Sequence, residues 1–349
     1  AFYEDEKSYN YIECIPPGAL NLGALSRISE LSNKVIDSKI DNDTITHELN
    51  AIHAKTKIIN HYYLTLAYAF SAGSFSLLIG TNGISFGVSL WLGAFIYLLV
   101  FLATKSKYLE NIFESFSALI ATIISCLLTL VIPDLNLGLT ILASIIVFIP
   151  GLAITTALEE ITSKSLVSGA AKLFDAIIVL FKQFFGVLLG LGLMTSFIDV
   201  DLAQHASDLP KWTLFFAIPV LSISLFPIFQ VRKKDMIFGL LTGVLAFFIT
   251  VLLSGYGALV STFIGTLSIV GISGLFNRIY KTPKIVYLTQ GIIMLVPGSK
   301  SFMGLSNSFL NSSIAGSVNL FEQVAFILMG IIGGLLFAGT FREKSNEKN

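Results

Sequence analysis

The sequence predicts an all-α polytopic membrane protein, with about ten transmembrane helices in two inverted five-helix repeats and a small helical region in front. Three observations predict it. The 349 residues are 54% apolar and only 13% charged, with 29 phenylalanines and a mean hydropathy of +0.81. Soluble domains carry about 25% charged residues, and a soluble globule of this composition would expose apolar patches and aggregate. Next, apolar runs recur at the length a bilayer demands, about 20 residues for its roughly 30 Å core. Finally, two of those runs share one interruption: IIVFIPGLAITTALEEI at 145–161 and IIMLVPGSKSFMGLSNS at 292–308 both carry Pro-Gly. The formal net charge is zero, so no basic field argues for a nucleic-acid partner.

Residues 1–60 are polar, without the apolar core of a secretory signal. Leu22, Leu25, Ile28 and Leu31 recur at helical spacing, and Ile45, Leu49 and Ile52 follow the turn-like DNDT at 41–44. A helical cytosolic hairpin packed on the membrane domain is expected, since so short a region buries little core alone. His47 and His53 are six apart with no cysteine near, so no metal is expected there. Cys14 and Cys126 lie in different environments and imply no disulfide.

The bilayer ruler then marks spans at 62–80, 84–103, 112–132, 137–157, 172–198, 212–230, 236–254, 256–277, 284–299 and 314–340. Links as short as Thr81-Asn82-Gly83 and Pro133-Asp134-Leu135-Asn136 force neighbours to run antiparallel. This divides the chain into a cytosolic region (1–60), a first membrane repeat (61–198), an outer loop (199–211), a second repeat (212–341) and a polar tail (342–349). With the N-terminus inside, Lys55, Lys57, Lys105, Lys107, Lys164, Lys172, Arg232, Lys233, Lys234, Arg278, Lys281, Lys284, Arg342, Lys344 and Lys348 all fall inside. Only Lys211 and Lys300 fall outside, beside the acidic Asp199, Asp201 and Asp208. One missed span would scramble this separation, which follows the positive-inside rule with both termini cytoplasmic.

Proline and glycine in a helix interior cost about 3 and 1 kcal/mol, so their recurrence suggests a device. At a shift of 147 residues Pro150-Gly151 meets Pro297-Gly298, Gly169 meets Gly316, Phe174-Asp175 meets Phe321-Glu322, and Gly186 meets Gly333. The fourth span then matches the ninth and the fifth the tenth. That displacement of five reverses direction through the membrane. Inverted repeats with matched helix breaks are a mark of secondary transporters. Freed backbone groups survive in lipid only where protein or a watered cavity meets them. A half-helix N-terminus suits a carboxylate and unwound carbonyls suit an ammonium, so the pair suits a zwitterion. The expected cavity residues are Pro150, Gly151, Thr155 and Thr156 at one break and Pro297, Gly298, Ser299 and Lys300 at the other. The hydroxyls could equally re-satisfy freed carbonyls, and Lys300 could anchor at the outer interface. Packing alone is the competing account of each Pro-Gly.

Charges inside a span are costly, about 2.5–3.5 kcal/mol each, and so face a cavity or a partner. Asp175 and Lys182 share a face of the fifth span, one turn past Lys172, and Glu322 is the repeat counterpart of Asp175. Asp175, Lys182 and Glu322 are candidates for charge compensation or proton coupling. The glycine runs at 186–190, 239–243 and 330–334 read as sites of close helix approach. No HExxH, CxxC, GxSxG or phosphate loop occurs, so neither an enzyme nor a metal or cofactor is expected. A non-transporting scaffold and a passive channel are the rival classes.

The segments IPGLAITTALEEITSKSLVSGAAKLFDA and TPKIVYLTQGIIMLVPGSKSF, with the opening PPGALNLGALSRISELSNKVI, resemble the threonine/serine exporter family, over nearly the whole chain. The resemblance implies a ten-span inner-membrane carrier that exports threonine, serine or similar solutes, driven by the proton gradient, with a homo-oligomer possible. A two-chain branch is linked to dicarboxylates such as succinate, the alternative substrate class. The chain departs from the family's frequent Thr-Asn after the first break, with Thr155-Thr156 there and Glu159-Glu160 following. Its region before the spans is also shorter than is usual.

Overall fold

The computed structural model describes residues 2–4, 7–9, 20–37, 41–56, 60–199, 209–210, 212–295 and 314–346. Apart from a short antiparallel hairpin, β1 (Phe2–Glu4) with β2 (Lys7–Tyr9), all regular elements described are helices. That hairpin was not legible in the sequence, where the whole region reads as helical. Helices α1 (Leu22–Ile36) and α2 (Asn42–Thr56) precede the apolar ones. They are α3 (His61–Leu78), α4 (Gly83–Ala103), α5 (Lys107–Thr129), α6 (Leu137–Ser144), α7 (Gly151–Thr162), α8 (Leu166–Thr195), α9 (Thr213–Ile228), α10 (Lys233–Leu252), α11 (Ala258–Tyr280), α12 (Lys284–Leu295) and α13 (Ile314–Asn346). Each predicted span coincides with one of these, or with the pair α6–α7. Among the described residues five helices are long and apolar enough to cross a membrane, or six if the bent pair is one span. Helices α9 and α12 and residues Glu322–Ala338 are shorter apolar segments.

Local chemistry starts the helices where the sequence breaks its apolar runs. Asn21 and Asn82 accept from the amides of Ala24 and Ser85 at 2.8 and 2.9 Å, satisfying donors that a helix start leaves free. Asn60 does the same more loosely for α3, from Tyr63 at 3.4 Å. Cys126 is a buried free thiol on α5, and Cys14 lies outside the described residues.

Packing in the second half repeats that of the first. Helix α3 packs on α4 as α9 does on α10, α4 on α6 as α10 on α12, and α5 on α8 as α11 on α13. Helices α3 and α9 pack on each other. The likeness extends to single residues. A Cβ on Gly93 would meet the Ala72 Cβ at 2.7 Å, and one on Gly243 would meet Ser222 Oγ at 2.9 Å, with both members of the contact 150 residues on. Gly186 and Gly190 lie on the Ser115 carbonyl and Thr122, just as Gly330 and Gly334 lie on the Leu259 carbonyl and Thr266, here 144 residues on. The uniform shift of 147 therefore does not carry through. The packing partner of Gly186 corresponds to that of Gly330, three residues before Gly333, because the glycine must sit where two helix backbones touch.

The N-terminal region docks at one end of the bundle. Leu22 is fully buried with Phe226, Val231 and Val286. Its amide donates to the Phe229 carbonyl at 3.0 Å, and Asn21 donates to Gln230 at 2.6 Å. Arg232 and Lys234 donate to Glu30 at 2.8 and 2.5 Å. Helix α2 packs on α1, with Lys34 to Glu48 at 2.9 Å between them.

Candidate functional site

The first Pro-Gly interrupts its span sharply. Helix α6 stops at Ser144, one 3-10 turn follows at Ile146–Phe148, and α7 starts at Gly151, bent 54° from α6. Pro150 cannot donate an amide and stands at the N-cap of α7 without a side-chain cap bond. The freed carbonyls find partners. The Ile149 oxygen accepts from Gly151 N at 2.7 Å, and the Phe148 oxygen accepts from Gln183 Nε2 of α8 at 2.6 Å. Thr155 donates to the Gly151 carbonyl at 3.2 Å and Thr156 to that of Ala153 at 3.1 Å. Both carbonyls lie within α7 itself and are not those that the break frees. The amides of Leu152 and Ala153 meet no acceptor among the described residues.

Two adjoining spaces open beside this break. A small one of about 100 Å³ is lined by Ile149, Gly151 and Leu152 at the break, by Ser71 of α3, and by Leu225 and Phe229 of α9. A larger one of about 730 Å³ runs toward the end of the bundle opposite α1, past Thr250, Ser254, Ser261, Thr262 and Gln323 to Leu295. Phe75, Leu221 and Ile293 line both. Leu295 is two residues short of Pro297. Pro297, Gly298, Ser299 and Lys300 themselves lie outside the described residues. The described lining of both spaces contains hydroxyls, one amide and apolar groups, and no charged side chain.

Sequence reasoning missed Gln183, which is fully buried beside the singled-out Lys182. An amide in an apolar helix was its signal, and a charge next door drew attention away from it. It missed Ser71 also, because a single serine in SAGSFS carries no pattern.

The three charged candidates are not brought together. Lys182 pairs with Glu114 of α5 at 3.7 Å rather than with Asp175. Lys172 pairs with Glu160, which also accepts from Ser168 at 2.6 Å. Asp175 and Glu322 are exposed on outward faces of α8 and α13. Asp175 and Lys182 are seven residues apart on α8, but it is Lys182 that meets a carboxylate of α5. No cluster of metal-ligating side chains occurs among the described residues.

A family model described as "Putative threonine/serine exporter" matches residues 1–194, and one described as "Threonine/Serine exporter, ThrE" matches 213–341. The chain belongs to the threonine/serine exporter family. It is a multi-pass membrane protein of a transporter family, in keeping with its apolar helices. Among its relatives is "Pheromone-regulated membrane protein 10" of Eremothecium gossypii, 25% identical over 313 residues, covering 86% of this chain and 42% of that protein. The protein of the same name from Kluyveromyces lactis is 25% identical over 346 residues, covering 92% and 36%. That from Saccharomyces cerevisiae is 23% identical over 356 residues, covering 93% and 92%. The chain thus spans less than half the length of the first two. No solved structure matches it.

Proposed function

We propose that this protein is a secondary transporter exporting threonine, serine or a similar small amino acid, with protons as the coupling ion. The observation that carries this reading is the pair of adjoining spaces between the first Pro-Gly break and the approach to the second. Their described lining sets a few hydroxyls and an amide among apolar groups, with no charged side chain among the described residues, which suits a zwitterion better than a dicarboxylate. The repeated packing of α3–α8 by α9–α13 supports two inverted halves and ten crossings. With helices alternating in direction, the links bearing Lys105, Lys164, Arg232 and Arg278 fall at the α1 end, the cytoplasmic end on the positive-inside rule. The larger space then opens outward, and Leu225 and Phe229 close the small one from within. Lys182 with Glu114 is the charge pair we assign to coupling, since it bridges α5 and α8, a packed helix pair that α11 and α13 repeat in the second half.

The test is counterflow: proteoliposomes loaded with unlabelled threonine receive a trace of labelled threonine outside, with and without a proton gradient. Transient accumulation that disappears in a Pro150→Ala, Pro297→Ala double variant, which still inserts into the membrane, is expected. Counterflow with succinate but not with threonine or serine would move the substrate to dicarboxylates. Silence with every solute would leave a scaffold, its partner surface on α1 and α2.

A further inference from the structure

The small space at the break is polar on one side only. Ser71 and Phe75 of α3 face Leu221 and Leu225 of α9, their counterparts 150 residues on, and Ile146 faces its counterpart Ile293. The space therefore lies where the two halves meet, built from matching residues of each. Among these matched positions the symmetry fails at a single polar group, Ser71, which stands opposite a leucine.

Ser71 is 1% exposed, and its hydroxyl has no hydrogen-bond partner. A buried hydroxyl left unpaired is costly, which points to a partner absent from the protein itself. The same space is lined by Gly151 and Leu152, the first residues of α7, a helix of 12 residues whose uncapped start carries the unpartnered Leu152 amide. The Ser71 hydroxyl, one free amide and the positive end of a helix dipole thus share one small volume. An anion is the complement.

The larger space has the opposite character. Thr250, Ser254 and Ser261 donate to carbonyls of their own chain segments, from Thr250 to Phe247 at 2.8 Å, Ser254 to Val251 at 2.7 Å and Ser261 to Ala258 at 3.1 Å. Thr262 likewise donates to Ala258. With their protons so used, these hydroxyls present lone pairs to the space, which accept from a cation such as an ammonium.

From this we infer that the small space is the carboxylate subsite of the transported amino acid, with Ser71 and the Leu152 amide as its donors, and that the ammonium end is directed to the larger space. The inference rests on the exporter reading and adds the substrate's orientation. At about 100 Å³ the space has room for a carboxylate. Ser71 thus favours substrates that carry a carboxylate at that end.

The experiment is threonine counterflow in proteoliposomes with unlabelled threoninol, which has a hydroxymethyl group in place of the carboxylate, as competitor. Ser71→Ala should raise the threonine concentration for half-maximal counterflow about tenfold or more, the worth of one hydrogen bond to a charged group. The same change should leave competition by threoninol as it was, and Ser71→Thr should restore threonine. Wild-type counterflow with Ser71→Ala unchanged would overturn the subsite and leave the exporter reading standing. Equal losses for threonine and threoninol would also overturn it, marking Ser71 as a packing residue. Wild-type silence with threonine and serine would overturn the exporter reading and the subsite with it.

Discussion

The turn between α3 and α4 and the turn between α9 and α10 share one backbone. Gly80 and Gln230 both take positive φ, 84° and 50°. The Thr81 amide donates to the Ser76 carbonyl at 3.2 Å and the Val231 amide to that of Phe226 at 2.9 Å. The side chains that follow are put to different use. In the first turn Asn82 donates to the Asp134 carbonyl at 2.6 Å and Ser85 accepts from Asn136 N at 2.9 Å, closing the turn onto its own half. In the second, Arg232 and Asp235 hold those positions. The buried Asp235 carboxylate accepts from Arg232 at 2.8 Å, Thr282 at 3.2 Å, and Tyr287 and Ser26 at 3.4 Å. The last of these belongs to α1. A duplicated backbone can therefore carry an appendage on one copy only, because an ion pair reaches outward where a neutral amide and hydroxyl reach inward.

The comparison breaks most severely at Asp235. Asp235→Ala strips Arg232, whose side chain is 9% exposed, of its buried partner and leaves it only the half-exposed Glu30, and should cost about 3 kcal/mol, the low end for loss of one member of a buried ion pair. Ser85→Ala at the matching position should cost about 1–3 kcal/mol, the price of one orphaned amide. Thermal unfolding of the detergent-purified variants ranks the two, and equal losses would contradict the asymmetry.

Gly23 comes next. A Cβ there would lie 2.3 Å from the Gln230 carbonyl oxygen, a backbone atom with little room to yield. Gly23→Ala should weaken α1 docking by about 1–3 kcal/mol, the usual cost of overpacking. Faster hydrogen exchange along α1, with α3 and α4 unchanged, is the expected reading. Gly80→Ala is smaller, about 1–2 kcal/mol, because the left-handed backbone penalises a Cβ while nothing stands within 4 Å of it.

Acid should give the gentlest separation of the two turns. Burial pushes the Glu30 carboxyl up, but the hydrogen bonds and charges of Lys234 and Arg232 outweigh it and hold the group below its ordinary 4.5. A carboxylate lowered in this way stabilises docking fully above 4.5, and the contribution is lost as the pH falls through its folded value. Exchange protection of α1 should decline in that window. The α3–α4 turn, whose contacts use no side-chain carboxylate, should hold.

Much of the fold was legible because it depends on short-range order. Apolar runs of bilayer length located the described helices α3–α13, with α6 and α7 read as one, and Asn82 marked a start because its side chain reaches an amide only three residues away. Pro150-Gly151 marked the break in its span, since proline lacks the amide, whereas Pro219 and Pro227 sit inside α9. The charged candidates read less well. Heptad spacing placed Asp175 and Lys182 on one face of α8, but whether a charge meets a partner depends on α5, which supplies Glu114 at one level only. Register between the halves was likewise beyond a single shift, because links and helix ends differ in length and the glycine contacts alone set the alignment.

What the sequence determined by itself was the solvent and the segments: a chain this apolar and this regularly interrupted must fill a membrane with helices and break one of them at Pro150. The tertiary structure decided the uses of the polar groups. Gln183 covers the Phe148 carbonyl from 35 residues away, Asp235 meets Ser26 across 209, and Ser71 is left unpaired in the space beside α7. The physical reason is range. Hydropathy and helix-breaking act within a few residues, whereas a buried hydrogen bond is set by whichever segments the folded chain brings within about 3 Å.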